Sequence, residues 1–209
     1  MAATNALVLF DIDGTLIRRA GPHHRQALVD AVRGATGVET TTDGVPVAGM
    51  LDGEILNMMM RRATVLYAKS CPDLRKKVCP GVRQLLRRLD RRSAAIGLVT
   101  GNLSRIAWMK MEHTGLKPYF RFGAFAEHAK DRAGLVRLAV RQARREQWIG
   151  KSSKVTLIGD HPNDIRAARA NKIRVVSVAT GLVSIEELAE HSPDVLLPDL
   201  RSLKLEMVL

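Results

Sequence analysis

The chain has 209 residues with 46% hydrophobic and 26% charged residues, which suits one globular domain or a core with a smaller insert. Lys and Arg number 33 against 21 Asp and Glu, a formal net charge of +12, so anionic partners are favoured: phosphorylated metabolites, nucleic acid or a membrane surface, unless the charge only solubilises. Aromatics at 4% are too few for a base-stacking platform, and no apolar run is long enough for a transmembrane helix.

Leu7 to Phe10 is an apolar run that reads as a buried strand of a parallel sheet. It ends abruptly in Asp11-Ile12-Asp13-Gly14-Thr15, two carboxylates one residue apart followed by a turn. The run is too short and too acidic at its end to be a signal peptide. Pro22 opens a helical segment with Ala27, Leu28, Ala31 and Val32 at helical spacing, and His23 and His24 stand at its start. Residues 34–49 read as loop, and 53–68 are helical again. From residue 80 strands and helices alternate. Strands are expected at 94–99, 120–126, 155–159 and 174–179, with a short one at 194–197. Helices are expected at 82–89, 103–114, 132–148, 162–170 and 184–191. This pattern predicts an α/β, doubly wound parallel sheet with a small all-α insertion after the first strand. The expected domains are a core of 1–17 with 80–209 and a helical cap of 18–79. Cys71 and Cys79 lack the spacing of a metal site, and so few cysteines suggest a reduced, cytoplasmic setting.

Three of the expected strands end in polar residues: Asp11 and Asp13, Thr100-Gly101-Asn102, and Asp160 with Asp164. In a parallel sheet these ends share one edge, where ligands bind. Four carboxylates crowded there repel one another unless a cation binds, and hard oxygen ligands favour Mg²⁺. The expected chemistry is metal-assisted and acts on an anion.

The strand running into Asp11-Ile12-Asp13-Gly14-Thr15 resembles the first signature of the haloacid dehalogenase superfamily. Thr100-Gly101-Asn102 resembles the second. Gly159-Asp160 with Asp164 resembles the fourth. The third is a lone basic residue near a helix start. Arg132, in an Asp131-Arg132 pair, is preferred for it, and Lys130 is the alternative.

The resemblance implies roles. Asp11 is the nucleophile that forms an aspartyl-phosphate, and Asp13 is the general acid and base. Asp11, Asp13, Asp160 and Asp164 serve the metal. Thr100, Gly101, Asn102 and Arg132 or Lys130 hold the phosphoryl group. Retention of Asp13 favours a phosphatase over a dehalogenase, because a halide leaves without a proton whereas an alkoxide needs one. The segment Ala48 to Asp52 resembles a substrate-closing cap loop with Gly49 and Asp52, although Met50 stands where phosphoglycolate phosphatase-like members often carry Arg. A phosphatase acting on a small phosphorylated metabolite is expected. The alternatives are a phosphosugar mutase of the β-phosphoglucomutase type and a basic nucleic-acid-binding protein on the same scaffold. The last is less favoured, since aromatics are scarce and no binding motif is recognisable. The oligomeric state is not readable from the sequence.

Overall fold

The computed structural model describes residues 4–12, 14–18, 30, 67–68 and 73–209. Asp13, Gly49, Met50 and Asp52 lie outside the described residues, as do His23, His24 and most of the expected cap helices. The chain divides into two compact units, Met1–Arg19 with Leu74–Leu209, and Ala20–Asp73. The division falls later on the first crossing and earlier on the second than the sequence suggested. Its cause is local pairing. Ile17 and Val78 form an antiparallel bridge, Arg18 N–H donates to Lys77 O at 2.7 Å, and Cys79 N–H donates to Leu16 O at 2.9 Å. These bonds tie residues 74–79 to the larger unit.

The larger unit is built on six strands: β1 (Thr4–Phe10), β2 (Ala95–Val99), β3 (Phe122–Ala124), β4 (Ile149–Gly159), β5 (Arg174–Val178) and β6 (Val195–Leu197). Their order is β3-β2-β1-β4-β5-β6 and every pairing is parallel. Five helices connect them: α1 (Val82–Arg91), α2 (Ser104–Thr114), α3 (Arg132–Arg145), α4 (Pro162–Ala170) and α5 (Ile185–Glu190). Since side chains alternate along a strand, Leu7 and Leu9 face one layer and Val8 and Phe10 the other. All four are fully buried, so the sheet is covered on both faces. Leu7 and Leu9 join Leu157, Val136 and Ala139 of α3, and Ile165 of α4, in one apolar cluster. Each such Leu or Val contributes about 1.5–3 kcal/mol by leaving water.

Two element boundaries differ from the sequence pattern. The helix expected to reach Trp148 stops at Arg145, because Gln147 is left-handed at φ 56° and the Trp148 N–H turns back to Ala143 O. The strand expected from Val155 begins at Ile149, where it pairs with Thr4. The polar run Lys151-Ser152-Ser153-Lys154 hid this first half, since it lies exposed or half-exposed and shows no buried alternation.

Candidate active site

β1 sits where the strand order reverses direction, with β2 on one side and β4 on the other. In parallel sheets this switch point opens a crevice at the carboxyl ends of the strands. Asp11 follows β1, Thr100 follows β2 and Asp160 follows β4, so all three arrive at that crevice.

Helix caps position the remaining groups. The Asp131 carboxylate accepts the Gly134 N–H at 2.6 Å and starts α3, which places Arg132 on its first turn. His161 Nδ1 accepts the Asn163 N–H at 3.1 Å, while the Asp164 carboxylate accepts the His161 N–H at 3.3 Å. Pro162 opens α4 between them. This reciprocal cap explains why an acid stands four residues after Asp160.

The carboxylates of Asp11, Asp160 and Asp164 are buried, with oxygens within 4.8 Å of one another. Arg132 bridges two of them. One guanidinium nitrogen lies 2.5 Å from Asp11 Oδ1 and 2.7 Å from Asp164 Oδ1, and Nε donates to Asp164 Oδ1 at 2.7 Å. Burial works against the Arg132 charge, but Asp11 and then Asp164 outweigh it and raise its pKa. Lys130 is exposed, and among the described residues no bond joins it to the cluster. Of the two basic residues that the sequence offered, Arg132 is the one at the carboxylates.

Among the described residues, three carboxylates against one guanidinium leave two negative charges unbalanced. Asp160 carries the strain: burial first, then the charge of Asp164, pushes its pKa up to about 6. All the donor atoms are hard oxygens. A divalent cation of the Mg²⁺ kind fits this set on charge and on ligand type.

Gly14 and Gly181 close over Asp160. A Cβ on either would overlap its carboxylate, and Gly14 is left-handed at φ 82°. The Thr180 hydroxyl donates to Gly14 O, and the Thr15 hydroxyl donates to Asp160 Oδ1 at 3.4 Å. Gly14→Ala is expected to displace Asp160 and to add about 1–2 kcal/mol of backbone strain. Gly101→Ala is its control, because among the described residues a Cβ there meets only Arg132, at 3.9 Å. Thermal melts and metal titrations of both variants check this. Equal behaviour of the two would refute the packing account.

Two features of the site escaped the sequence reading. The first is the Thr180-Gly181 turn, which closes over Asp160. Its position at the end of β5, on the same edge as Asp160, was the available signal. The second is Lys110, on α2. It is 1% exposed, and its ammonium donates to Asn102 Oδ1 at 2.8 Å. Asn102 in turn donates to Thr100 Oγ1 twice, from Nδ2 at 2.8 Å and from its backbone N–H at 3.1 Å. An ammonium can only donate, so it fixes the amide oxygen toward Lys110 and the amide nitrogen toward Thr100. Thr100 Oγ1 then accepts two bonds, and its own hydrogen is left to donate. The Asn102 N–H, expected from the resemblance to hold a phosphoryl oxygen, points to Thr100 Oγ1 here.

Residues 6–171 match the family model for haloacid dehalogenase-like hydrolases. The chain belongs to this family. The phosphoglycolate phosphatase of Pseudomonas fluorescens strain Pf-5 is 24% identical over 94% of this chain and 78% of its own length. Among solved structures, CbbY from Rhodobacter sphaeroides in complex with xylulose-1,5-bisphosphate superposes with a TM-score of 0.73 at 18% identity, covering 98% of this chain and 99% of its own. CbbY in complex with phosphate gives a TM-score of 0.72 at 19% identity over the same shares of the two chains. Family and relatives together support a phosphatase. Among the described residues no helix is long and apolar enough to cross a membrane.

Proposed function

We propose that this hydrolase is a Mg²⁺-dependent phosphatase that cleaves a small phosphate monoester through an aspartyl-phosphate on Asp11. The carrying observation is the junction of Asp11, Asp160, Asp164 and Arg132 at the strand ends beside Thr100. In this reading an Asp11 carboxylate oxygen bonds to phosphorus as the ester P–O bond breaks. Asp13 gives its proton to the departing oxygen, then takes one from the water that cleaves the acyl-phosphate and regenerates Asp11. Arg132 and the Thr100 hydroxyl hold the phosphoryl oxygens, and Gly101 leaves the approach open. Bound Mg²⁺, held by Asp11, Asp160 and the neighbourhood of Asp13 and Asp164, would supply charge neutralisation at the phosphoryl group.

The smaller unit, Ala20–Asp73, is proposed as the cap that selects substrate, with Gly49 and Asp52 as its substrate-closing residues. A cytoplasmic location accords with Cys79, a buried free thiol whose burial raises its pKa to about 11. The test is a hydrolysis screen over phosphorylated metabolites with Mg²⁺ or with chelator, 2-phosphoglycolate and sugar phosphates included. Mg²⁺-dependent phosphate release supports the reading. Isomerisation of a sugar phosphate without phosphate release would establish the mutase instead.

Lys110 gives this reading a specific prediction. Lys110→Met keeps the length of the side chain and removes the donor to Asn102. A hydrogen bond to a charged group contributes about 1.5–3 kcal/mol, so kcat/KM should fall roughly 10- to 100-fold. The inhibition constant for inorganic phosphate should rise with it. The melting temperature should fall by no more than a few degrees, since relief of the buried charge offsets part of the bond lost at Asn102 Oδ1. A lower melting temperature with unchanged phosphate inhibition would make Lys110 structural only.

A further inference from the structure

The surplus positive charge has a definite address. A groove of about 510 Å³ runs between the carboxyl half of α3 and the amino ends of β4 and β5. Arg137, Arg141 and Arg144 line it from the helix. Lys151 and Lys154 line it from β4, and Lys172 and Arg174 from the start of β5. All seven are exposed, and among the described residues no carboxylate lines the groove. Among the described residues no ion pair joins any of them to an acid. Lys154 donates to the Leu209 backbone oxygen at 3.0 Å. Asp194, the acid bonded beside Arg174, accepts the Val175 N–H at 2.7 Å. Seven cations in one concavity repel one another, and a polyanion would relieve that repulsion.

The groove is at the opposite end of the sheet from the acidic site. Lys154 precedes Asp160 by six strand residues, about 20 Å at the rise of a β-strand. That exceeds two Debye lengths at physiological salt, about 8 Å each. These charges therefore do little to draw substrate to Asp11, and they call for a ligand of their own.

We propose that this groove binds the sugar-phosphate backbone of single-stranded nucleic acid without sequence preference. Three observations select that ligand. Arg137, Arg141 and Arg144 stand at i, i+4 and i+7, a row about 10 Å long on one helix face, which suits a chain of phosphates better than a single anion. The surface is concave, which suits a narrow strand better than a lipid plane or a wide duplex. Among the described residues no aromatic side chain lines it, so the contacts fall on phosphate and carry no sequence preference.

The test is fluorescence anisotropy of the full chain with a labelled oligouridylate, which forms no duplex, across a salt series. Binding in the micromolar range near 0.1 M salt is expected. The slope of log affinity against log salt should be about −3, corresponding to about four neutralised phosphates at −0.7 each. The triple variant R137Q/R141Q/R144Q should bind at least tenfold more weakly, with a slope smaller by about 2. Gln keeps helix propensity close to that of Arg, so melting curves should overlay. K172Q/R174Q, on the other wall, should weaken binding too. R87Q/R91Q/R145Q removes the same charge from outside the groove and should leave the slope unchanged. Absence of binding near 0.1 M salt would overturn the proposal. So would equal weakening by the groove triple and the control triple, which would reduce the effect to net charge. Association with anionic phospholipid vesicles but not with oligouridylate would overturn it as well.

Discussion

Asp11→Asn is expected to lower turnover below about 1% of wild type while the fold stands. The amide is close to isosteric with the carboxylate but is a poor nucleophile. It keeps an oxygen that can accept from Arg132, whose guanidinium lies 2.5 Å from Asp11 Oδ1. Arg132 also keeps both of its bonds to Asp164. Removing one of three crowded negative charges relieves repulsion, so the melting temperature should hold or rise. The loss would then be chemical and not a failure to fold. Residual activity well above 1%, in protein free of contaminating phosphatase, would remove Asp11 from the nucleophile's role. A large drop in melting temperature would instead show that the carboxylate is needed for the fold.

The strand-end acids were legible because a buried apolar run that stops at a carboxylate leaves few physical alternatives. Leu7 to Phe10 cannot sit in water, and Asp11 cannot sit in the core without a partner. The same logic reads Asp160 after Val155 to Gly159. Arg132 was legible only as one of two basic residues. What separates it from Lys130 is the helix start: the Asp131 cap puts Arg132 on the first turn of α3 and leaves Lys130 before it, and the sequence states that cap only as an Asp. Lys110 was not legible. A lysine in a helix is nearly always solvated, and its burial follows from how α2 packs beside the Thr100–Asn102 loop. Ala126 N–H holds Asn102 O at 3.1 Å, and the Glu127 carboxylate accepts the Ser104 N–H at 2.9 Å. Those contacts reach across more than twenty residues of sequence, which no local pattern records. The basic groove was hidden for a similar reason. Arg137, Arg141 and Arg144 read as the wet face of a helix, and only the start of β5 and the hidden first half of β4 turn that face into one wall of a concavity.

Asp160→Asn should move activity and stability in opposite directions. Outer partners of a metal site typically cost 10- to 100-fold when removed, so loss of Asp160, the ligand proposed above, should cost at least about 100-fold in kcat/KM. Stability follows from the raised pKa. Burial and then Asp164 lift Asp160 from 3.8 to about 6, so its ionised form is disfavoured in the folded chain relative to the unfolded one. The resulting penalty is absent below about pH 4, grows from there to about pH 6, and is complete above it. About two pKa units correspond to about 3 kcal/mol as an upper value. In chelator at pH 7.5 the Asn variant should therefore melt several degrees above wild type, at about 2–4 °C per kcal/mol for a chain of this size. At pH 4 the two should melt together. Mg²⁺ at 1,000 times Kd should reverse the order at pH 7.5, since binding then adds about 4.1 kcal/mol to wild type, more than the penalty, and little to the variant. Melts at the two pH values, with and without Mg²⁺, read all of this. A variant less stable than wild type in chelator at pH 7.5 would mean that the buried acids are balanced within the protein, and the electrostatic case for a bound cation would fall with that result.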